Sequence, residues 1–280
     1  MIVISDAPGQ TCNRLWSYVG SIAQCVVQHK KMAILFFDET IEDFPNLLHC
    51  PYIYFPLWNK WYLEHLNGWK YYKGITWRIK FKYTKSWYTI SKFLGFTIGW
   101  HTRSHNRYVK QALPELKKLF RPRDDIVKKA NDKITELKKE SDIVIGVHIR
   151  RGDYATWHNG RFYFEIETYY QLMKKIVKLY NGLKVSFFIS SNEDFSLDIF
   201  EGLRCDRFIK EPSGVILDLY TLSICDKLIG PYSTYSRWAS FIGETPLCFI
   251  ESRDQHFTEE SFSRIVDFYH FENGKEIFDW

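Results

Sequence analysis

The chain has 280 residues, 45% of them hydrophobic, which indicates a globular protein with one large domain or two of ordinary size. Lys and Arg total 38 against 33 Asp and Glu, and this mild excess suits anionic small molecules or a membrane surface. The excess is too small by itself to indicate nucleic-acid binding, so no nucleic-acid partner is expected.

The first predicted elements are a strand, a loop, a helix and a second strand. The strand covers 2–4, the loop reads DAPGQTCN, the helix covers 14–29 and the second strand, MAILFF, covers 32–37. A β–loop–α–β opening is typical of a parallel sheet covered by helices. Residues 51–109 then mix aromatic residues with lysines without a clean period, and we expect them to form an insertion.

Helical patterns follow over 114–139, and the second part is a highly charged helix with an apolar seam at Ile126, Ile134 and Leu137. Its acidic residues nearly balance its lysines, so it does not resemble a nucleic-acid arm. We expect this helix to be solvated on most faces and to link two α/β domains, 1–135 and 136–280.

From residue 142 onward, strands and helices alternate regularly, which predicts a right-handed parallel sheet. The predicted strands are 143–149, 185–190, 207–209, 227–230 and 247–251. The predicted helices are 167–180, 215–225 and 234–243.

Two adjacent arginines end the apolar strand in the stretch DIVIGVHIRRGDY. Ligands of open parallel sheets bind beyond the carboxyl ends of the strands, and guanidinium groups match phosphate geometry. Since neighbouring strand residues point to opposite sides, one of Arg150 and Arg151 is expected to face an anion. The other is held by Asp153 or shares the ligand after a bend at Gly152. Alternatively, Arg150 and Asp153 form a local ion pair that only closes a turn.

A second anion cradle is predicted where the strand KLIG leads through PYST into a helix. The free N–H groups of the helix N-terminus and the hydroxyls of Ser233 and Thr234 all offer hydrogen-bond donors. Plain helix capping is the alternative for these two residues. Asp218 lies in an apolar helical run, where a carboxylate needs paired donors such as those of a guanine edge. A solvent-facing position is the alternative for Asp218.

These stretches resemble the motifs of GDP-fucose-dependent fucosyltransferases. HIRRGDY at 148–154 resembles the H-x-R-R-x-D motif of bacterial alpha-1,2-fucosyltransferases and is similar to that of the alpha-1,6 enzymes. GVILDLYTLSICDKLIGPYSTYSRWAS at 214–240 resembles their later motif, although Arg237 stands where the alpha-1,2 group commonly has tryptophan. GQTCNRL at 9–15 resembles the loop that follows their first strand.

The resemblance implies a GT-B-like α/β fold, with two Rossmann-like halves facing a cleft. The acceptor side would lie in 1–135 and the nucleotide-sugar donor site in 136–280. It further implies inverting transfer of fucose from GDP-fucose to a hydroxyl of a glycan acceptor, without a metal or another cofactor. The absence of a D-x-D triplet from the sequence agrees with metal independence.

Residue roles follow from the same resemblance. Those expected to bind the donor are Arg150 at the diphosphate with Arg151 assisting, His148 and Asp218 at the guanine, Ser233 and Thr234 in the phosphate cradle, and Asn13 from the N-terminal half. His158 lies five residues beyond Asp153, where the alpha-1,6 enzymes place an acidic base, and imidazole titrates near neutrality. Asp153 is a second candidate base, and a loop histidine without a role is the alternative for His158.

The stretch 58–100 is rich in tryptophan and lysine, which suit a membrane interface. A lipid-linked glycan acceptor would use such a surface; a sugar-stacking site and an irregular core with snorkelling lysines are the alternatives. The six cysteines lack CxxC spacing, and neither a signal peptide nor a membrane-spanning run is recognised. We therefore expect a cytoplasmic protein, with peripheral contact at the inner face of the membrane as one arrangement.

Two other functions are compatible with these patterns. One is a GT-B transferase that uses a different nucleotide sugar, since the sequence does not give the shape of the donor pocket. The other is a non-catalytic basic-aromatic module that binds anions or a membrane surface.

Overall fold

The computed structural model describes residues 1–6, 8–37, 39–56, 84–97, 99–101, 107–209 and 214–277. The chain divides into two compact units, Met1–Arg121 and Pro122–Trp280, so the division lies earlier than the domain boundary expected at 135/136. Each unit contains its own parallel sheet. Among the described residues, none of the helices combines the length and the apolar character needed to cross a membrane.

The first unit has a three-stranded parallel sheet in the order β1–β2–β3. Its strands are β1 (Ile2–Ile4), β2 (Met32–Ile34) and β3 (Ile53–Tyr54). Its helices are α1 (Thr11–Gln28), α2 (Pro45–Leu48), α3 (Thr84–Phe93) and α4 (Val109–Leu119). The core of this unit forms where the buried face of α1 covers the sheet.

Two predicted boundaries in this unit were wrong. The helix α1 begins at Thr11, before the predicted 14, because the backbone N–H groups of Asn13 and Arg14 both donate to the carbonyl of Gln10. The strand β2 ends at Ile34 although the apolar run continues to Phe37. The Tyr18 hydroxyl donates to the Phe36 carbonyl at 2.5 Å, so a side chain takes the place of a neighbouring strand there.

The second unit has a five-stranded parallel sheet in the order β6–β5–β4–β7–β8. Its strands are β4 (Ile143–Ile149), β5 (Val185–Ser191), β6 (Arg204–Asp206), β7 (Lys227–Gly230) and β8 (Leu247–Phe249). Its helices are α5 (Asp124–Lys138), α6 (Ile166–Leu179), α7 (Gly214–Ser223) and α8 (Thr234–Gly243). The predicted α/β class with parallel sheets is confirmed.

The central strand β4 is buried along its whole length, with helices on both faces. Ile145 and Val147 join the apolar core that α6 covers. Gly146 faces the other way, where an added Cβ would lie 2.8 Å from Leu222 of α7. The glycine therefore lets α7 approach the sheet closely.

The strand predicted at 207–209 was wrong, because β6 is formed by Arg204–Asp206, which pair with residues 186–188 of β5. The edge strand is short and polar, so its hydrophobicity is lower than that of the residues after it. Of those, Phe208 packs against Phe188 at 5.6 Å between ring centroids, and Ile209 is exposed. Apolar character therefore indicated the wrong three residues.

The charged helix α5 is not a link between the units, since it lies wholly in the second unit. Its apolar seam is buried, and it packs on α7 and the sheet. Lys133 bonds to Asp206 at 2.6 Å, and Lys138 bonds to Asp226 at 2.7 Å. These ion pairs fix α5 to β6 and to the turn before β7.

The strand order creates a switch point between β4 and β7. From β4 the chain proceeds to β5 and β6 on one side, whereas β7 and β8 lie on the other side. In open parallel sheets, ligands bind beyond the carboxyl ends of the strands at such a point. A ligand site is therefore expected at the loops after β4 and β7.

Candidate functional site

The two motifs predicted to bind an anion follow the two strands at the switch point. Arg150 and Arg151 follow β4, and Pro231 to Ser233 follow β7 and lead into α8. The Tyr154 hydroxyl donates to the Tyr232 carbonyl at 2.7 Å, so the loops after β4 and β7 touch. The fold thus brings together two stretches that are about eighty residues apart in the chain.

Arg150 lies at the tip of β4 with its side chain 20% exposed. Its Nη2 donates to Asp153 Oδ2 at 2.8 Å, and its guanidinium lies 5.7 Å from the Tyr154 ring centroid. The local ion pair that was the alternative reading is therefore present. Because the Asp153 side chain is 60% exposed, this pair is weak, and an incoming phosphate can compete with it.

Arg151 points into a different environment, among two carboxylates and a tyrosine. It pairs with Glu165 at 2.9 Å and Glu193 at 3.3 Å, and its Nη2 donates to the Tyr163 hydroxyl at 2.5 Å. Its positive charge is balanced within the protein. Its predicted assistance at the diphosphate stays a prediction.

His148, the second-to-last residue of β4, is 5% exposed. Its Nδ1 lies 2.7 Å from Ser236 Oγ, and its ring centroid lies 4.8 Å from that of Tyr235. Burial and the nearby Arg150 charge lower the pKa of His148 to about 3, so the imidazole is neutral at ordinary pH. The sequence did not lead to a prediction for Ser236 or Tyr235. Ser236 could have been found, because it lies three residues after Ser233 and such a spacing places two residues side by side on a helix.

The start of α8 carries the two predicted hydroxyl residues. Ser233 is the N-cap, and its Oγ accepts a hydrogen bond from Tyr235 N at 3.2 Å. Thr234 is the first helical residue, and both side chains are half-buried. Capping, the alternative reading for Ser233, is thus observed, and it leaves a helix N-terminus at the switch point.

Asp218 lies in the middle of α7 and is half-buried between the buried Leu217 and Leu219. The Tyr235 hydroxyl donates to the Val215 carbonyl at 2.8 Å, which joins the first turns of α8 and α7. The helix that carries Asp218 therefore adjoins the predicted phosphate cradle. Its recognition of guanine stays a prediction.

His158 is exposed in a tight turn at Trp157–Gly160. His158 and Asn159 both adopt left-handed backbone conformations, with φ of 48° and 56°. The imidazole lies edge-on to Trp157, with 4.4 Å between ring centroids. The role of His158 as a base stays a prediction.

Asn13 belongs to the first unit, where it lies in the first turn of α1. Its amide packs against Gly9, whose φ is +46°, and an added Cβ at Gly9 would lie 1.9 Å from Asn13 Nδ2. Glycine is thus required here for both backbone conformation and space. The predicted contact of Asn13 with the donor stays a prediction.

A carboxylate that sequence reasoning missed organises the loops near α1. Asp6 accepts hydrogen bonds from Ser17 Oγ at 2.7 Å and from the backbone N–H groups of Gly99 and Trp100, both at 3.0 Å. Burial raises the pKa of Asp6 despite these donors. Its contacts make it an anchor between β1, α1 and residues 99–101.

Most of the aromatic and basic stretch lies outside the described residues, including every tryptophan between 57 and 83. Its described part includes the C-terminal half of α3, where Ile90 and Phe93 share one helix face. Both are exposed, Phe93 by 88%, and so is Leu94 directly after the helix. In the described parts of the chain, no group of three or more His, Cys, Asp or Glu residues is arranged to hold a metal ion.

Comparisons with known proteins agree with these observations. The sequence description of Glycosyl transferase family 11 matches residues 79–264. A crystal structure of POFUT1 in complex with GDP-fucose is 13% identical with a TM-score of 0.55, and the match covers 89% of this chain and 97% of that chain. A mutant Arabidopsis thaliana FUT1 in complex with GDP is 12% identical with a TM-score of 0.50, covering 99% and 79%.

At these identities the structural likeness shows the fold alone, and it confirms the predicted GT-B-like α/β class. A comparison with curated protein sequences finds no match. The family match covers both motifs of the second unit, 148–154 and 214–240.

Proposed function

The chain belongs to glycosyl transferase family 11, the alpha-1,2-fucosyltransferase family, and on that premise we propose that it transfers fucose from GDP-fucose to a hydroxyl of a glycan acceptor. It is a glycosyltransferase by family. One observation supports the choice of site: the loop that carries Arg150 touches the loop that leads into α8, where Tyr154 bonds to Tyr232 at the switch point between β4 and β7. Two proteins of similar fold bind GDP-fucose and GDP.

The reaction requires positive charge close to the leaving group. When the bond between fucose and the diphosphate breaks, negative charge grows on GDP, and fixed donors aimed at that charge lower the barrier. Arg150 supplies a guanidinium fork after exchanging the exposed Asp153 for phosphate oxygens. Ser233, Thr234 and the first N–H groups of α8 supply neutral donors. Asp218 accepts hydrogen bonds from the guanine edge, and the neutral ring of His148 is the second group expected at the guanine.

We propose that the transfer is independent of a metal, because the guanidinium of Arg150 can take the place of a metal cation at the diphosphate. Transfer in the presence of EDTA should match transfer without it. Restoration of a lost activity by Mg²⁺ or Mn²⁺ would contradict metal independence.

Inversion requires the acceptor hydroxyl to attack from the face opposite GDP while a base removes its proton. His158 and Asp153 are the two candidates, and the exposed position of His158 suits contact with a large acceptor. His158→Gln is expected to lower kcat about 10²-fold or more if His158 is the base. Asp153→Asn removes the other candidate and keeps the imidazole. The variant that lacks the base should lose the pH dependence of kcat that the base causes in wild type, and the other variant should keep it.

The donor is tested by binding without knowledge of the acceptor. GDP is expected to raise the melting temperature, whereas UDP and dTDP are not, because only guanine offers Asp218 two donors. Stabilisation by UDP or dTDP alone would favour the other reading, a GT-B enzyme with a different nucleotide sugar. Slow hydrolysis of GDP-fucose in a panel of nucleotide sugars would identify the donor sugar.

We further propose that the acceptor is lipid-linked and that the enzyme is a cytoplasmic protein that contacts the inner face of a membrane. The exposed face of α3 supports the contact, and the lysines of the same stretch suit anionic lipid. No disulfide joins the six cysteines, as is usual in a reducing compartment. Phe93→Ser should reduce co-sedimentation with anionic vesicles; wild-type protein that stays in the supernatant would exclude the contact.

A non-catalytic binding module would behave differently in the same assays. It would bind polyanions with a steep salt dependence, and Asp218→Asn would not change its binding. A turnover of GDP-fucose that depends on Asp218 excludes it.

A further inference from the structure

The turn that carries Arg150 is held by two residues that follow the neighbouring strand β5. Arg151 N donates to Asn192 Oδ1 at 3.0 Å, and Gly152 N donates to Glu193 Oε1 at 3.0 Å. The other carboxylate oxygen of Glu193 lies 3.3 Å from Arg151 Nη1. Two consecutive backbone N–H groups of the turn and one guanidinium are therefore bound by a single dipeptide.

The turn needs this support because its conformation is unusual. Gly152 has φ of +55°, a left-handed conformation that side chains rarely adopt, and an added Cβ would lie 3.0 Å from Asn192 Nδ2. The chain then enters a short 3-10 turn at Gly152–Ala155 that contains Asp153. The backbone that directly follows Arg150 is therefore held by the residues after β5.

The dipeptide is itself anchored from a second direction. Glu193 N donates to Ser191 Oγ at 3.1 Å. Arg207, which follows β6, donates to the Phe195 carbonyl at 3.2 Å and pairs with Asp194 at 3.1 Å. Its side chain is mostly buried, and its guanidinium lies 4.9 Å from the Phe195 ring centroid. The loop after β5 is thus braced before it reaches the arginine turn.

We infer that Glu193 is a positioning residue for the transfer reaction. It acts through the Gly152 N–H and the Arg151 guanidinium, and it fixes the turn so that Arg150 points towards the donor diphosphate. The inference rests on the proposed function, because it needs an anionic leaving group at Arg150. Misplacement of a reacting group by about 1 Å can cost about 10²-fold in rate, which sets the size of the expected effect.

Two carboxylates pair with Arg151, and they allow the two contributions of Glu193 to be separated. Glu193→Gln keeps an oxygen that can accept from Gly152 N and loses the charge beside Arg151. Glu165→Gln also removes one charge from Arg151, but it leaves the Glu193 bond to Gly152 in place. Glu193→Ala removes both contributions. Glu201→Ala, at an exposed position of the same unit, serves as the matched control.

The measurements are kcat and KM for GDP-fucose, the Kd of GDP and of guanosine, and the melting temperature of each variant. Glu193→Ala should lower kcat about 10²-fold and weaken GDP binding, with guanosine binding unchanged. Glu193→Gln and Glu165→Gln should each keep most of the kcat, and the control should match wild type.

A wild-type kcat in Glu193→Ala would overturn the inference. So would an equal loss of GDP and guanosine binding, because it would mean that the whole site has collapsed. A Glu193→Gln variant as impaired as Glu193→Ala would remove the role of the Gly152 hydrogen bond. If the wild-type protein binds no GDP, the proposed donor fails, and that result is distinct from all of these.

Discussion

Replacement of Arg150 by alanine separates catalysis from folding. The ion pair that is lost, between Arg150 and the 60% exposed Asp153, contributes about 0–1 kcal/mol to stability at most. A guanidinium that binds a diphosphate makes charge-assisted hydrogen bonds worth about 1.5–3 kcal/mol each. Removing one donor to a developing charge typically costs about 10²–10³ in kcat. We therefore expect Arg150→Ala to lower kcat by at least that factor and to stay folded.

The assay follows GDP release at saturating GDP-fucose, alongside chemical unfolding of the same preparation. Arg150→Lys should recover only part of the rate, because a point charge replaces a planar fork. Arg161→Ala is the matched control, since Arg161 is exposed on the same loop and contacts the Phe162 ring at 5.2 Å. Turnover at the wild-type rate by folded Arg150→Ala protein would refute the reasoning.

Three further predictions concern stability. Burial lowers the pKa of His148 from 6.5 to about 3 in the folded protein. Below pH 6.5 the unfolded chain therefore binds a proton that the folded protein does not bind, and about 2 kcal/mol of stability should be lost between pH 6.5 and pH 5. Urea unfolding at both pH values should show a smaller loss in His148→Asn. Gly230→Ala places a Cβ 3.0 Å from the His148 Cβ and should cost about 1–3 kcal/mol, whereas Gly214→Ala, with open space around it, should cost nothing measurable in the same titration. The hydrogen bond from Lys227 lowers the pKa of Glu259 in the folded protein. The stability that this bond contributes is therefore present above about pH 4.3, the usual pKa of a glutamate, and is lost as the pH falls through the lower pKa of Glu259 in the folded protein. The melting temperature of Glu259→Gln should therefore fall less steeply with decreasing pH than that of wild type, and an equally steep fall would contradict this.

Elements with strong local signals were predicted closely. The strand at 143–149 and the helix at 234–243 match β4 and α8 to the residue, because a continuous apolar run and an N-cap serine are local features. The edge strand β6 was placed three residues too late, since pairing with β5 and not hydrophobicity decides which residues join an edge. The helix α5 was misread as a link because packing partners are not encoded in its own periodicity.

The sequence alone determined the α/β class, the order of most strands and helices in the second unit, and the two motifs that indicate a diphosphate site. These follow from nearest-neighbour patterns and from residue chemistry, which do not depend on distant contacts. Only the tertiary structure decided that Arg151, and not Arg150, pairs with two carboxylates of the second unit, Glu165 and Glu193. It also decided that His148 is a neutral buried ring bonded to Ser236, and that Glu193 braces the turn of Arg150. The physical reason is that charge balance and burial depend on which strands become neighbours, and the order of a parallel sheet differs from the order of the chain.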